Sequence, residues 1–333
     1  MILVTGASGF IGSNLVVELN QRGRSDLLVV DDYPWLRGRG RPTSSGAGAR
    51  YLNRLQVAGL LDMHDLADWL DRSGAAIEAV VHLGACSDTT VTDRDWVMDV
   101  NTRYSQRLWR WCSRTVCPFV YASSAATYGD GSSGYDDRPE PGKYRPLNLY
   151  GESKHLFDLW ALRQSETPPR WAGLKYFNVY GPNEDHKGRM ASVVYHGFQQ
   201  IRQTGTVKLF RSHRDGIPDG GQKRDFVFVK DAVDATLYFL DAPAPPRNGL
   251  YNVGVGQART FADLANAVFA ALGREPRIDY IPMPEDLRSR YQYFTEAKVE
   301  KLREAGFVRP MRSLEEGVRR TVQDHLVKES RAA

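Results

Sequence analysis

The chain has 333 residues, 42% of them hydrophobic and 25% charged, a composition that excludes collagen-like, coiled-coil and disordered architectures and a length that predicts two domains or one large one. The net charge of +4, with no dense lysine/arginine run, argues against a nucleic-acid partner. Three cysteines, Cys86, Cys112 and Cys117, are too few and too irregularly spaced for a disulfide framework or a zinc site, and no metal is expected.

Ile2 to Thr5 reads as a buried strand, with no basic segment or cleavage site ahead of it. No run of about 18 apolar residues follows anywhere, so the expectation is a cytoplasmic protein without a membrane span. Ile11 to Gln21 reads as a helix ended by Gly23, and Leu27 to Val30 as a second strand closing on Asp31-Asp32. Trp35 to Arg50, rich in Gly, Arg, Ser and Pro, reads as a surface loop. Further strands are expected at Val80 to Leu83, Phe119 to Ala122 and Gly173 to Phe177. Helical patterns lie between them near Leu66 to Leu70, at Asp99 to Cys112 and at Asn148 to Leu162. Non-alternating apolar strands that each lead to a helix predict a parallel sheet covered on both faces. The fold class is therefore α/β, a doubly wound parallel sheet of Rossmann type. The expected division is a dinucleotide-binding domain over 1–176 and a smaller, mainly helical substrate-binding lobe over 177–333, with the chain crossing back to the first domain.

Gly6, Gly9 and Gly12 form G-x-x-G-x-x-G directly after the first strand and open the first helix. One glycine turns the chain, one admits backbone close to a pyrophosphate, and one lets helix and strand pack closely. The helix N-terminus then offers N–H groups and partial positive charge to phosphate. Asp31, about 20 residues on, suits a ribose hydroxyl and with Asp32 favours NAD. Arg37, Arg39, Arg41 and Arg50 follow and suit a 2′-phosphate, so these residues leave NAD and NADP both open.

Tyr150-Gly151-Glu152-Ser153-Lys154 puts a phenol and an ammonium on one helix face, about 6 Å apart in rise. A free tyrosine titrates near pH 10, and a lysine beside it favours the phenolate. Ser123, at the end of a strand, is placed to hydrogen-bond the same substrate oxygen.

These residues resemble the extended short-chain dehydrogenase/reductase superfamily along the whole chain. Within it, His82-Leu83-Gly84-Ala85-Cys86-Ser87, Tyr121 to Gly129, Tyr176 to Pro182, His186 to Val193, Lys223 to Val227 and Arg290-Tyr291-Gln292 are similar to the ADP-glyceromanno-heptose 6-epimerase family. The resemblance implies a hydride cycle at C6″ of an ADP-heptose, made for the lipopolysaccharide core, with an acid/base group on each face of the carbon. Tyr150 would serve one face and Lys187 the other, while Lys154 holds the nicotinamide ribose. It further implies that Phe10, Ile11, Leu83, Gly84, Ala85, Cys86, Ser87, Val179 and Lys187 line an NADP (or NAD) site, with Asn101 beside it and Arg50 on the 2′-phosphate. Asn178, Arg189, His196, Phe210, Arg211, Ser212, His213, Arg224 and Tyr291 would form the nucleotide-sugar pocket, Arg224 on the diphosphate. Homo-oligomers, pentamers among them, are implied as well.

The chain departs from that family in its longer segments at 35–50 and 214–222 and in Arg189, where a serine is common. A 4,6-dehydratase would want acids after the strand-terminal serine, where Ser124-Ala125-Ala126 offers none. A 4-epimerase would have no use for Lys187. A non-catalytic dinucleotide sensor would have no reason to keep Ser123, Tyr150 and Lys154 together.

Overall fold

Strands that are apolar on both faces need cover on both faces, and the computed structural model places them at the centre. It describes residues 1–33, 51, 53, 55–138, 140–242, 246–288 and 291–332. The strands in chain order are β1 (Ile2–Thr5), β2 (Leu27–Asp31), β3 (Gly59–Asp62), β4 (Ala79–His82), β5 (Phe119–Ser124), β6 (Trp171–Tyr176), β7 (Asn178–Tyr180), β8 (Val207–Phe210), β9 (Lys223–Phe228), β10 (Gly249–Val253), β11 (Ala258–Thr260) and β12 (Ile278–Ile281). Seven of them form one parallel sheet in the order β10-β6-β5-β4-β1-β2-β3. The order reverses direction between β1 and β4, the crevice where open α/β sheets take their ligands.

The helices are α1 (Phe10–Gln21), α2 (Leu66–Ser73), α3 (Arg94–Val97), α4 (Tyr104–Arg114), α5 (Leu149–Leu162), α6 (Val193–Thr204), α7 (Val229–Asp241) and α8 (Phe261–Ala271). On one face of the large sheet α1 and α7 pack Leu15, Val16 and Leu19 with Val233, Leu237 and Leu240 over Ile2, Val4 and Val29. On the other, α2, α4 and α5 pack Leu66, Leu70, Trp109 and Phe157 over Leu3, Val80 and Phe119. At about 25 cal/mol per Å² of apolar surface, these two layers are the main force holding the sheet. A separate core joins α6 and α8 to the helix Leu314–Arg319 and the π turn Arg320–Leu326, through Val194, Phe198, Ile201, Leu264, Phe269, Val318 and Val322. Two small sheets, β11-β9-β7 and β12-β8, edge this second core.

Within the large sheet, β3 and β10 were not among the expected strands. β3 is a four-residue edge strand that begins with glycine and exposes Leu60, which blurs its periodicity. Within 295–305 only Glu300–Glu304 is helical. Thr295, Ala297 and Val299 bury alternate side chains, the period of an extended segment. No described helix is long and apolar enough to cross a membrane.

Candidate active site

The turn after β1 can be built only from glycine. Gly6 has φ +69°, and a Cβ there would lie 2.5 Å from Gly84 N; a Cβ on Gly12 would lie 2.0 Å from the Gly6 carbonyl oxygen. α1 starts with Gly9 at its N-cap, no side-chain cap and no acid in its first turn, so an external anion can use its N–H groups. Asp31 braces the turn, one oxygen accepting Ser8 N–H (2.9 Å) and the other Asp32 N–H (2.9 Å). Burial pushes its carboxyl above the usual range, and those N–H bonds oppose the shift. Beside it Asp32, Asp62 and His64 bring potential metal-ligand atoms within 4.8 Å. Asp62 already accepts the backbone N–H groups of Tyr33 (2.8 Å) and His64 (2.9 Å).

From this turn a cavity of about 530 Å³ runs across the C-terminal ends of the strands. Gly6, Gly9, Phe10, Ile11, Gly12, Asp31, Leu83, Gly84, Ala85, Ser87, Ser123, Tyr150, Lys154, Asn178, Val179 and Lys187 line it. Cys86 and Asp32 line an adjoining recess of about 220 Å³. Asn101 stands behind the wall, its amide bonded to both backbone groups of Cys86 (2.8 and 2.9 Å) and to Ser153 Oγ (2.9 Å). It sits in a π turn, Met98–Arg103, between α3 and α4. Arg50 lies outside the described residues, as does Arg290. A further groove of about 570 Å³ between α2 and α4 is lined by Trp96, Trp111, Arg107 and Arg110 and shares Trp96 and Tyr104 with the adjoining recess.

α5 is capped by Asn148, whose Oδ1 accepts Gly151 N–H (2.8 Å), and Gly151 lets the helix press on the Ala126 carbonyl. This seats Tyr150 and Lys154 on the cavity wall. Lys154 is 3% exposed, and burial brings its ammonium down to about 8, with Asp158 opposing. Burial raises the Tyr150 phenol above its ordinary value. Desolvation is the largest influence on this phenol. The group that favours the phenolate is the hydroxyl of Ser124.

Two neighbouring serines stand at the end of β5. Successive residues of a strand face opposite sides, so β5 cannot aim both hydroxyls the same way. Ser123 Oγ donates to Asp158 Oδ2 (2.7 Å), whereas Ser124 Oγ accepts Ala126 N–H (3.1 Å) and favours the Tyr150 phenolate; both serines line the cavity. Spacing also left Asp158 unnoticed, although it falls eight residues after Tyr150 on the same helical face. Fully buried, it binds Lys175 Nζ (2.5 Å), Ser123 Oγ and the Tyr121 hydroxyl (2.9 Å). Lys175 also donates to Thr127 Oγ1 (2.7 Å) and lies 5.2 Å from the Tyr128 ring centre. This network fastens α5 to β5 and β6.

Lys187 reaches the same cavity from the loop between β7 and α6. Its ammonium lies over the Phe10 ring at 4.9 Å, and burial lowers its pKa while Glu184 raises it. Gly188, at φ +53°, turns the chain beside it. Arg189 is exposed and hydrogen-bonds Thr90 Oγ1 on the opposite rim.

The other expected pocket residues form a second group. Arg224, 7% exposed, stacks between Phe261 (5.5 Å) and Tyr291 (5.1 Å), and Phe210 meets Tyr291 edge-on (6.3 Å). Phe261 lines the main cavity and so joins the two groups. His213 N–H donates to the Tyr293 hydroxyl (2.9 Å). Arg211 Nε is committed to the Tyr280 carbonyl (3.2 Å) and Ser212 Oγ to the Arg214 carbonyl (3.1 Å). His196, half-buried on α6 beside Tyr195, is not on the wall of the main cavity.

The profile of the NAD dependent epimerase/dehydratase family matches residues 2–254. The ADP-L-glycero-D-manno-heptose-6-epimerase of Fusobacterium nucleatum is 46% identical, with 99% of each chain covered. The enzyme of that name from Nitratidesulfovibrio vulgaris is 46% identical, with 98% of each covered. Among solved structures, the Helicobacter pylori ADP-L-glycero-D-manno-heptose-6-epimerase superposes with TM-score 0.79 at 27% identity, covering 97% of this chain and 95% of that one. Thermus thermophilus UDP-glucose 4-epimerase in complex with NAD gives TM-score 0.76 at 28% identity, with 98% of each chain covered.

Proposed function

From the premise that the chain belongs to the NAD dependent epimerase/dehydratase family, with ADP-L-glycero-D-manno-heptose-6-epimerases among its relatives, we propose that it inverts C6″ of ADP-D-glycero-D-manno-heptose. The product is the ADP-L-glycero-D-manno-heptose used for the lipopolysaccharide core. A nicotinamide dinucleotide, when bound, supplies reversible two-electron oxidation of a carbinol. The glycine turn fits one, because its cradle has no room for a Cβ and the α1 N-terminus has no cap of its own. Gly6, Gly9 and Gly12 would hold the pyrophosphate, Asp31 the ribose, Leu83 to Ser87 and Val179 the walls, and Lys154 the nicotinamide ribose.

Tyr150, with Ser124 nearby, would take the C6″ hydroxyl proton of one epimer as the hydride leaves the carbon. Lys187 would give a proton to the carbonyl oxygen as the hydride returns on the opposite face, the two groups exchanging roles in the reverse direction. Arg224, with Tyr291 and Phe210, grips the diphosphate end of the substrate. The observation that carries the reading is that Tyr150 and Lys187 reach one cavity from separate parts of the chain. Incubation with ADP-D-glycero-D-manno-heptose tests it, the expected result being an NMR spectrum that settles to a mixture of both C6″ epimers. An unchanged substrate would refute it.

The finer cofactor choice is NADP. Arg37, Arg39, Arg41 and Arg50 lie on the connection leaving the tip of β2, where a 2′-phosphate needs cations. Titrating NADP and NAD separately decides it, and tighter NAD binding would assign the selection to Asp31 and Asp32. A cytoplasmic homo-oligomer, a pentamer by family likeness, completes the proposal, with light scattering as its check. A second reading, 4-epimerisation, draws on the likeness to UDP-glucose 4-epimerase. It has no use for Lys187, so a Lys187→Ala variant that keeps turnover would favour it.

A further inference from the structure

Residues 181–192 form the loop that carries Lys187, and both ends of that loop are tied to one side chain. Glu184 is 2% exposed. Its Oε1 accepts Gly181 N–H (3.3 Å) and the Ser192 hydroxyl (2.5 Å), and its Oε2 accepts Ser192 N–H (2.6 Å). Its carbonyl accepts Lys187 N–H (3.0 Å). Glutamate is seldom buried so completely unless its charge is used, yet Glu184 does not line the cavity and takes no part in the chemistry described so far.

We propose that Glu184 is a positioning residue for Lys187: its carboxylate clasps the loop shut and fixes a negative charge behind the ammonium that the loop presents to the cavity. The proposal rests on the reading of Lys187 as the second proton-handling group. The elements packed round the loop bring other charged or titratable groups. Asp185 is hydrogen-bonded by Tyr51, and His186 packs against the Tyr51 ring at 6.1 Å. Arg189 is bonded to Thr90. His325 accepts Asn183 N–H (3.4 Å) and pairs with Glu329 (3.3 Å). α1 contributes only Phe10, Ser13 and Asn14 at this contact. Burial disfavours both charges, while Glu184 favours the Lys187 ammonium and Lys187 favours the Glu184 carboxylate. Burial and Glu184 pull Lys187 in opposite directions, so the clasp keeps the ammonium from losing its proton too readily.

The test is competitive acetylation of Lys187 across pH, read by mass spectrometry on the full-length protein, alongside the pH profile of epimerisation. In Glu184→Gln the Lys187 midpoint should fall by about one pH unit, the scale of an opposite charge at this range. The matching limb of the profile should move with it, and Glu184→Asp should fall in between. A purely structural clasp would lower turnover without moving the midpoint, and an unmoved midpoint overturns the proposal. If Glu184→Gln does not fold, Glu184→Asp, which withdraws the charge by one methylene, must still shift the midpoint downward. Lys187→Met separates the two levels. Retained turnover would defeat both the Lys187 reading and this inference, whereas a dead Lys187→Met with an unmoved Glu184→Gln midpoint defeats the inference alone.

Discussion

Replacing Asp158 by asparagine should cost more stability than almost any other single change of equal size in this protein. The carboxylate has no solvent access and accepts from Lys175 Nζ at 2.5 Å, Ser123 Oγ at 2.7 Å and the Tyr121 hydroxyl at 2.9 Å. An amide keeps the shape but leaves the Lys175 ammonium, 1% exposed, with Thr127 Oγ1 and the Tyr128 ring as its remaining partners. Breaking a buried pair from one side costs about 3–5 kcal/mol. At about 2.1 cal/mol/K per residue of unfolding entropy, that corresponds to a melting temperature lower by about 4–7 °C in a chain of 333 residues. Adding Lys175→Met removes the stranded charge and should recover at least half of the loss. Thermal unfolding of the wild type, both single variants and the double variant measures the coupling. An Asp158→Asn variant as stable as the wild type, or a double variant no better than the single one, would refute this account of the network.

Tyr150→Phe should lower turnover by about 10²–10⁴-fold, the usual contribution of a positioned acid/base group, while nicotinamide fluorescence still reports cofactor binding; retained turnover would remove Tyr150 from the chemistry. Lys154→Met should raise stability even as it impairs catalysis. Burial sets the folded pKa of Lys154 near 8, below its unfolded value, so its protonated form opposes folding at all pH values below about 8. The penalty fades as pH climbs from 8 toward 10.5. The methionine variant should therefore be more stable at pH 7 by up to about 3 kcal/mol, with the margin shrinking above pH 8. A margin that stays constant up to pH 10 would contradict that reasoning.

Local features were legible wherever a short segment carries its own constraint. The glycine turn could be read because Gly6 and Gly12 exclude side chains within one strand–helix unit, and Tyr150 with Lys154 because a helix repeats every 3.6 residues. Asp158, one turn beyond Lys154, went unnoticed, because its significance lies in the Lys175 and Ser123 partners that β6 and β5 bring to it. Choosing between Ser123 and Ser124 needed the pleat of β5 and the knowledge of which face meets α5, and no run of residues carries that. The stacking of Arg224 between Phe261 and Tyr291 joins three segments separated by dozens of residues, and only the tertiary fold brings them together. Nothing in the sequence marks Glu184, since its significance lies in the Gly181 and Ser192 donors that converge on it. Spacing on a helix speaks of charge and not of burial, and burial is the largest influence on the Tyr150 phenol.

The central claim is that one hydride leaves a single sugar carbon and returns to its opposite face. Epimerisation of ADP-D-glycero-D-manno-heptose run in D₂O, with the products examined by proton NMR and mass spectrometry, tests this most directly. Inverted product that keeps its original hydrogen at C6″ is the predicted result. Deuterium at C6″, which would mean exchange with solvent through a deprotonated carbon, would contradict it.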